Sequence, residues 1–231
     1  MTLAVEMRYG ARMGIPVSGS DPVAELMRFA HRVAGIELGE GKRSQVEGRL
    51  LPRLAAAPRR RVRIWCAAAA GGEEPYSIAL CLRRSLPPAP PAWDASVLAT
   101  DLSTRSLGRV SDGLYTEDRV AHLTVADRRL ALDLVQPGPP KVWQVKPELK
   151  RLVSLARLNL LDETWPMRGP FDAIFCCHVM VYYDRPTRER LVGRFAKMLA
   201  PGGTLYLGQR ESLAGISHPL TALAPAVLLK A

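Results

Sequence analysis

The sequence predicts an α/β fold built on a doubly wound, mostly parallel sheet, preceded by a short N-terminal helical module and interrupted by a small insertion. Three observations carry this. From Val62 onward, short apolar runs alternate with amphipathic stretches of helical period. The first of those runs passes through small residues into Gly71-Gly72 and then an acidic helix start, and the next run ends in Asp101. With 231 residues and 48% hydrophobic composition, the chain can bury a core without a disulfide framework.

Residues 1–20 hold three glycines, one proline and no periodicity, and read as a loose tail. Residues 21–57 form a reduced helical module. Asp21-Pro22 starts a helix carrying Leu26, Met27, Ala30, Val33 and Ala34 at helical spacing, and Gly35 ends it. A second amphipathic helix is expected from Lys42 to Leu54, with Arg43, Arg49 and Arg53 among its polar positions.

The main domain spans 58–231. Expected strands are Val62 to Ala67, Ala95 to Thr100, Phe171 to Cys177, Thr204 to Gly208 and Ala226 to Lys230, with an extended run at Leu152 to Leu158. Expected helices are Glu73 to Ser85, Thr104 to Val110 and Pro186 to Leu199, and Pro87 to Pro91 is a loop. Residues 116–148 break the rhythm. They contain a helical stretch near Ala126 to Leu134, the turn-rich Gln136-Pro137-Gly138-Pro139-Pro140, and an alternating Lys141 to Val145. An insertion of this kind is expected over the strand ends, where substrates are selected.

Thirty-two Lys and Arg against 22 Asp and Glu give a net charge of +10, which suits an acidic partner or a solvated basic face. Four cysteines (Cys66, Cys81, Cys176, Cys177) lie in apolar runs without metal-ligand spacing, so buried thiols and no metal are expected. A cytoplasmic protein without direct membrane insertion is expected, because the N-terminal stretch carries Glu6, Arg8 and Arg12 and no sustained apolar run.

The turn Ala67 to Gly72 lets a ligand approach the backbone closely, although a structural tight turn has the same composition. Glu73 and Glu74 crowd the helix start. They disfavour a phosphate there and suit a cationic group such as a methionine ammonium. Asp101 sits where a carboxylate can accept both ribose hydroxyls of an adenine nucleotide, or where it can cap the next helix. Its distance from Gly72 exceeds that of the dinucleotide fingerprint, which disfavours NAD.

The run Arg63-Ile64-Trp65-Cys66-Ala67-Ala68, followed by Gly72-Glu73-Glu74-Pro75-Tyr76-Ser77, resembles the first motif of the CheR family of chemoreceptor methyltransferases. Further matches follow in order: Ala99 to Ser103, Gly113-Leu114-Tyr115, Asn159 to Asp162, Phe171 to Cys176 running on to Val179 to Asp184, Leu199 to Gly203, and Gly208 to Leu213. The resemblance covers Val62 to Leu213, and faintly the two N-terminal helices. It implies a Rossmann-like methyltransferase domain that transfers methyl from S-adenosyl-L-methionine to receptor glutamates, leaving S-adenosyl-L-homocysteine.

By this resemblance Gly72, Glu73 and Glu74 hold the methionine end, Asp101 the ribose, and Asn159 and Leu160 the adenine neighbourhood. Cys177 and His178 line the methionine side, and Tyr182 stands near the transferred methyl. From the residues alone, Tyr182 and Tyr183 also read as a packed aromatic pair, Asn159 as a turn former, and Cys176 as core.

Three departures stand out. Cys177-His178 replaces the Arg-Asn usual in the family. The Asn/Thr-rich, double-Phe-Arg segment that supplies a catalytic arginine is absent between Leu54 and Arg59. Gln136 to Pro140 replaces the Gly-rich loop of receptor-tethering members.

The leading expectation is a protein-glutamate O-methyltransferase whose partner is the acidic helical cytoplasmic region of chemoreceptors. The alternative is a catalytically impaired relative that binds cofactor as a scaffold. Nucleic acid is not expected as a partner, since base-extruding motifs are absent and only 6% of residues are aromatic.

Overall fold

The computed structural model describes residues 61–85, 93–208, 211–224 and 226–231. The segments expected as a tail, as two N-terminal helices and as the Pro87 to Pro91 loop lie outside the described residues. The described chain runs β1 (Arg61–Cys66), α1 (Glu73–Ser85), β2 (Asp94–Asp101), α2 (Thr104–Asp112), β3 (Leu114–Thr116), α3 (Glu117–Val120), α4 (Val125–Ala131), β4 (Leu132–Gln136), β5 (Val142–Val145) and α5 (Pro147–Lys150). It continues through β6 (Val153–Arg157), β7 (Phe171–Cys176), a 3₁₀ turn (Met180–Tyr182), α6 (Arg185–Met198), β8 (Leu199–Leu207), β9 (Thr221–Ala224) and β10 (Val227–Leu229).

Seven strands form the main sheet in the order β6-β2-β1-β7-β8-β10-β9. The pairs β6·β2, β2·β1, β1·β7 and β7·β8 are parallel, and β10 lies antiparallel between β8 and the edge strand β9. The chain therefore winds outward from β1 through β2 to β6, then restarts beside β1 at β7 and winds the other way. That reversal places a topological switch point between the carboxyl ends of β1 and β7, where open α/β sheets bind ligands.

Alternation of side chains along each strand builds two cores. Val62, Ile64 and Cys66 of β1 share one face with Val97, Ala99, Ala173, Phe175 and Tyr206, beneath Ile78, Ala79 and Leu82 of α1. Phe175 and Tyr206 stack there with centroids 4.5 Å apart. Trp65 points to the opposite face with Phe171, Ile174 and Leu205, under Leu191, Val192 and Phe195 of α6. Its indole N–H is satisfied by Thr100 Oγ1 at 2.9 Å, so a fully buried tryptophan leaves no orphan donor. Local signals set the helix ends. Ser103 Oγ caps α2 by accepting from Ser106 N, Gly113 ends it at φ 60°, and Asp184 caps α6 by accepting from Thr187 N.

A second sheet, ordered β3-β5-β4, is antiparallel and carries the short α3 and α4. Here the structure corrects the expected helix over Ala126 to Leu134. The helix stops at Ala131, because Leu132 and Leu134 pair with Val145 and Trp143 and turn extended. β8 begins at Leu199, five residues before the expected Thr204, and β9 was not anticipated.

Candidate functional site

The strand β1 delivers Cys66 to the switch point, and the chain then turns sharply. Ala67 N donates to Phe175 O of β7, Ala69 N to Thr100 O of β2, and Ala70 N to the carboxylate of Asp101 at 2.9 Å. Ala70 takes φ 46° and Gly72 φ 93°. A Cβ on Gly72 would lie 2.5 Å from Tyr115 Oη and 3.1 Å from Val110, so glycine is required twice over, by conformation and by space. Tyr115 of β3 also donates its hydroxyl to Gly71 O at 3.0 Å, tying the small sheet to the turn.

Asp101 is partly exposed at the end of β2. Its Oδ2 accepts from Ala70 N and its Oδ1 from Ser103 N at 2.8 Å. The helix cap of α2 is Ser103 and not Asp101, which instead braces the two turns. Each carboxylate oxygen keeps unused lone-pair capacity after one backbone bond.

Glu73 and Glu74 open α1 but live in different surroundings. Glu73 is partly exposed and accepts from Arg119 of α3 through Nε at 2.9 Å and through a second, shorter contact. Glu74 turns inward, where Cys66 Sγ–H donates to its Oε1 at 2.8 Å and Cys177 supplies a second thiol bond. Removal from water raises the Glu74 carboxyl above the usual carboxylate range. Burial, and then the neighbouring Glu74, push the Cys66 and Cys177 thiols well up. All four cysteines are buried and outside any disulfide.

Beyond β6, Asn159 Oδ1 accepts from Leu161 N, and its amide donates to Asp162 Oδ1 at 3.0 Å, while Leu160 is buried. Leu158 N bonds Asp101 O, which carries this turn to the same end of the sheet. Cys176 ends β7 and Cys177 follows it, both buried, and His178 is exposed with φ 62°. Tyr182 is 81% exposed, whereas Tyr183 packs partly buried against the α6 core, so the two rings are not a packed pair.

The structure thus brings Gly72, Glu73, Glu74, Asp101, Asn159, Leu160, Cys177, His178 and Tyr182 to the carboxyl ends of β1, β2, β6 and β7. The sequence places Glu211 in the last matching motif without a role; it is 5% exposed and accepts four backbone N–H bonds from the loops after β7 and β8. Among the described residues there is no cluster of His, Cys, Asp and Glu able to hold a metal.

Comparison with known proteins shows the family. The family model described as CheR methyltransferase, SAM binding domain, matches residues 42–225, and the chain belongs to this family. It is 40% identical over 155 residues to a probable chemotaxis protein methyltransferase of Rhizobium etli, covering 67% of this chain and 57% of that protein. It is 38% identical over 179 residues to the chemotaxis protein methyltransferase of Escherichia coli, covering 76% and 62%. The chain therefore spans about three-fifths of the length of these curated relatives. A solved glycopeptide N-methyltransferase, MtfA, has 17% identity and a TM-score of 0.41, over 90% of this chain and 61% of its own.

Proposed function

We propose that the chain is an S-adenosyl-L-methionine-dependent protein-glutamate O-methyltransferase acting on the acidic helical cytoplasmic region of chemoreceptors. The observation that carries the reading is the Asp101 carboxylate at the switch point. It is oriented by Ala70 N and Ser103 N, yet still open to two further donors, which fits a ribose diol. The turn fits as well: Gly72 holds φ 93° against Tyr115 Oη and Val110, where no Cβ has room, and this fixes the backbone beside Asp101.

S-adenosyl-L-methionine, when bound, supplies a methyl already activated by its sulfonium, so a glutamate oxygen takes the methyl and S-adenosyl-L-homocysteine leaves. This chain's residues align and desolvate. Asp101 would hold the ribose, and Asn159 and Leu160 would flank the adenine. Gly72, Glu73 and Glu74 would hold the methionine end, with Cys177 and His178 beside it. Tyr182, projecting from the 3₁₀ turn, would meet the incoming carboxylate. The basic balance of the chain would draw an acidic receptor helix, and among the described residues no helix is long and apolar enough to cross a membrane.

The test is methyl incorporation from radiolabelled cofactor into receptor membranes, run beside calorimetry with S-adenosyl-L-homocysteine. Base-labile label is expected on the receptor, falling as ionic strength rises, because exposed charge pairs are screened beyond ~8 Å at physiological salt. Cofactor binding without transfer to any receptor would overturn the enzyme reading in favour of a scaffold.

A further inference from the structure

Glu211 is a buried acid that no step above uses. Its Oε1 accepts from Met180 N at 2.6 Å and Val181 N at 3.3 Å, and its Oε2 from Gly208 N at 2.6 Å and His178 N at 2.9 Å. Three of these donors lie in the loop after β7 and one at the end of β8, so a single carboxylate ties the two strand ends together. Val179, which precedes the 3₁₀ turn, makes no side-chain cap. The orphan N–H groups of Met180 and Val181 are instead capped by Glu211, from about thirty residues downstream.

The loop needs that tether. His178 adopts φ 62°, a conformation that costs a non-glycine residue about 1–2 kcal/mol and persists where its surroundings over-determine it. The fit around the carboxylate is close. A Cβ on Gly208 would fall 2.8 Å from Glu211 Oε2 and 2.9 Å from His178 N. Both oxygens face only donors, so an amide in place of the carboxylate would turn its NH₂ against backbone N–H groups whichever way it is flipped. Aspartate is one methylene shorter and cannot span both loops.

We propose that Glu211 is a positioning residue for methyl transfer: by gathering the N–H groups of His178, Met180, Val181 and Gly208, it fixes the turn that presents Tyr182 to the reacting carboxylate. This rests on the assignment of Tyr182 to the site, and Glu211 itself touches neither substrate nor cofactor.

The experiment compares wild type, Glu211→Gln, Glu211→Asp, Tyr182→Phe and the Glu211→Gln/Tyr182→Phe pair in the full chain. It reads kcat, KM, affinity for S-adenosyl-L-homocysteine, and amide hydrogen exchange over residues 178–182 and 67–72. Glu211→Gln is expected to lower kcat at least tenfold while homocysteine-product affinity stays within threefold, with Glu211→Asp also impaired. Exchange should speed over 178–182 and not over 67–72. In the Tyr182→Phe background the kcat loss should shrink, since the two residues then act as one unit.

Unchanged kcat in a folded Glu211→Gln protein, or losses of kcat and affinity in equal proportion, would overturn the positioning role. If wild type transfers no methyl, the functional reading fails by itself, and the exchange data still decide. Faster exchange confined to 178–182 keeps Glu211 as the organiser of that loop, and unchanged exchange removes it.

Discussion

The turn after β1 and the loop after β7 face each other across the switch point, and each is held by a carboxylate from a neighbouring strand end. Asp101, from β2, braces the first through Ala70 N and Ser103 N and stays partly open to solvent. Glu211, past β8, braces the second through four backbone N–H groups and is sealed in. The difference separates two uses of the same functional group. An anion with spare lone pairs at the surface is able to bind, whereas one whose lone pairs are all taken is able only to build.

A glycine in each loop offers the sharpest way to break that comparison. Gly72→Ala is expected to cost about 2–4 kcal/mol of stability, from a left-handed backbone together with the collision with Tyr115 Oη and Val110. Cofactor-product affinity should fall with it. Gly208→Ala meets a backbone nitrogen and a fixed carboxylate, and should lower turnover with affinity largely kept. Urea unfolding beside calorimetry on both variants checks this. A loss of affinity in Gly208→Ala equal to that in Gly72→Ala would merge the two loops into one site.

Asp101→Ala tests the binding half directly, with a smaller effect. Affinity for S-adenosyl-L-homocysteine should drop at least tenfold, about 1.4 kcal/mol, while the thermal midpoint moves little. Asp101 carries two ordinary backbone bonds, and partial exposure lets water replace them. If calorimetry returns the wild-type affinity, Asp101 belongs with Glu211 as a builder, and the ribose assignment falls.

The two loops also differ in how far the sequence betrays them. The first turn was legible because its determinants are local: small residues, two glycines and an acidic helix start within a dozen positions, with Asp101 ending the very next strand. The strands of the main sheet were legible for the same kind of reason, since Ile64, Trp65 and Cys66 sit in a run too apolar to be anything but sheet interior. The role of Glu211 was not, because three of its four partners are backbone N–H groups some thirty residues away, and a backbone donor has no letter in the sequence. The boundary at Leu132 failed similarly. Leu130 to Leu134 suits helix or strand, and only the arrival of Val142 to Val145 as a pairing partner decides it.

Glu74 stands between the two loops and gives the finest test. Like Glu211 it points inward, but its donors are the thiols of Cys66 and Cys177, which are weak ones, in place of backbone N–H groups. Removal from water therefore dominates and raises the carboxyl, with the thiol bonds and nearby His178 lowering it and Glu211 raising it further. As pH climbs through the ordinary glutamate range, the unfolded chain releases this proton while the folded chain retains it. The folded state then binds more protons, so Glu74 subtracts from stability progressively until its own raised pKa is passed. Glu74→Gln preserves the shape and cannot ionise. Relative to wild type it should gain stability as pH rises from about 4 towards neutrality, the shift beginning near the ordinary glutamate value. Unfolding both proteins by urea across that range measures the slope, which is independent of any constant offset from the amide. A flat difference would mean that the Cys66 and Cys177 thiols solvate the Glu74 anion as well as water does, and removal from water would then cost Glu74 nothing.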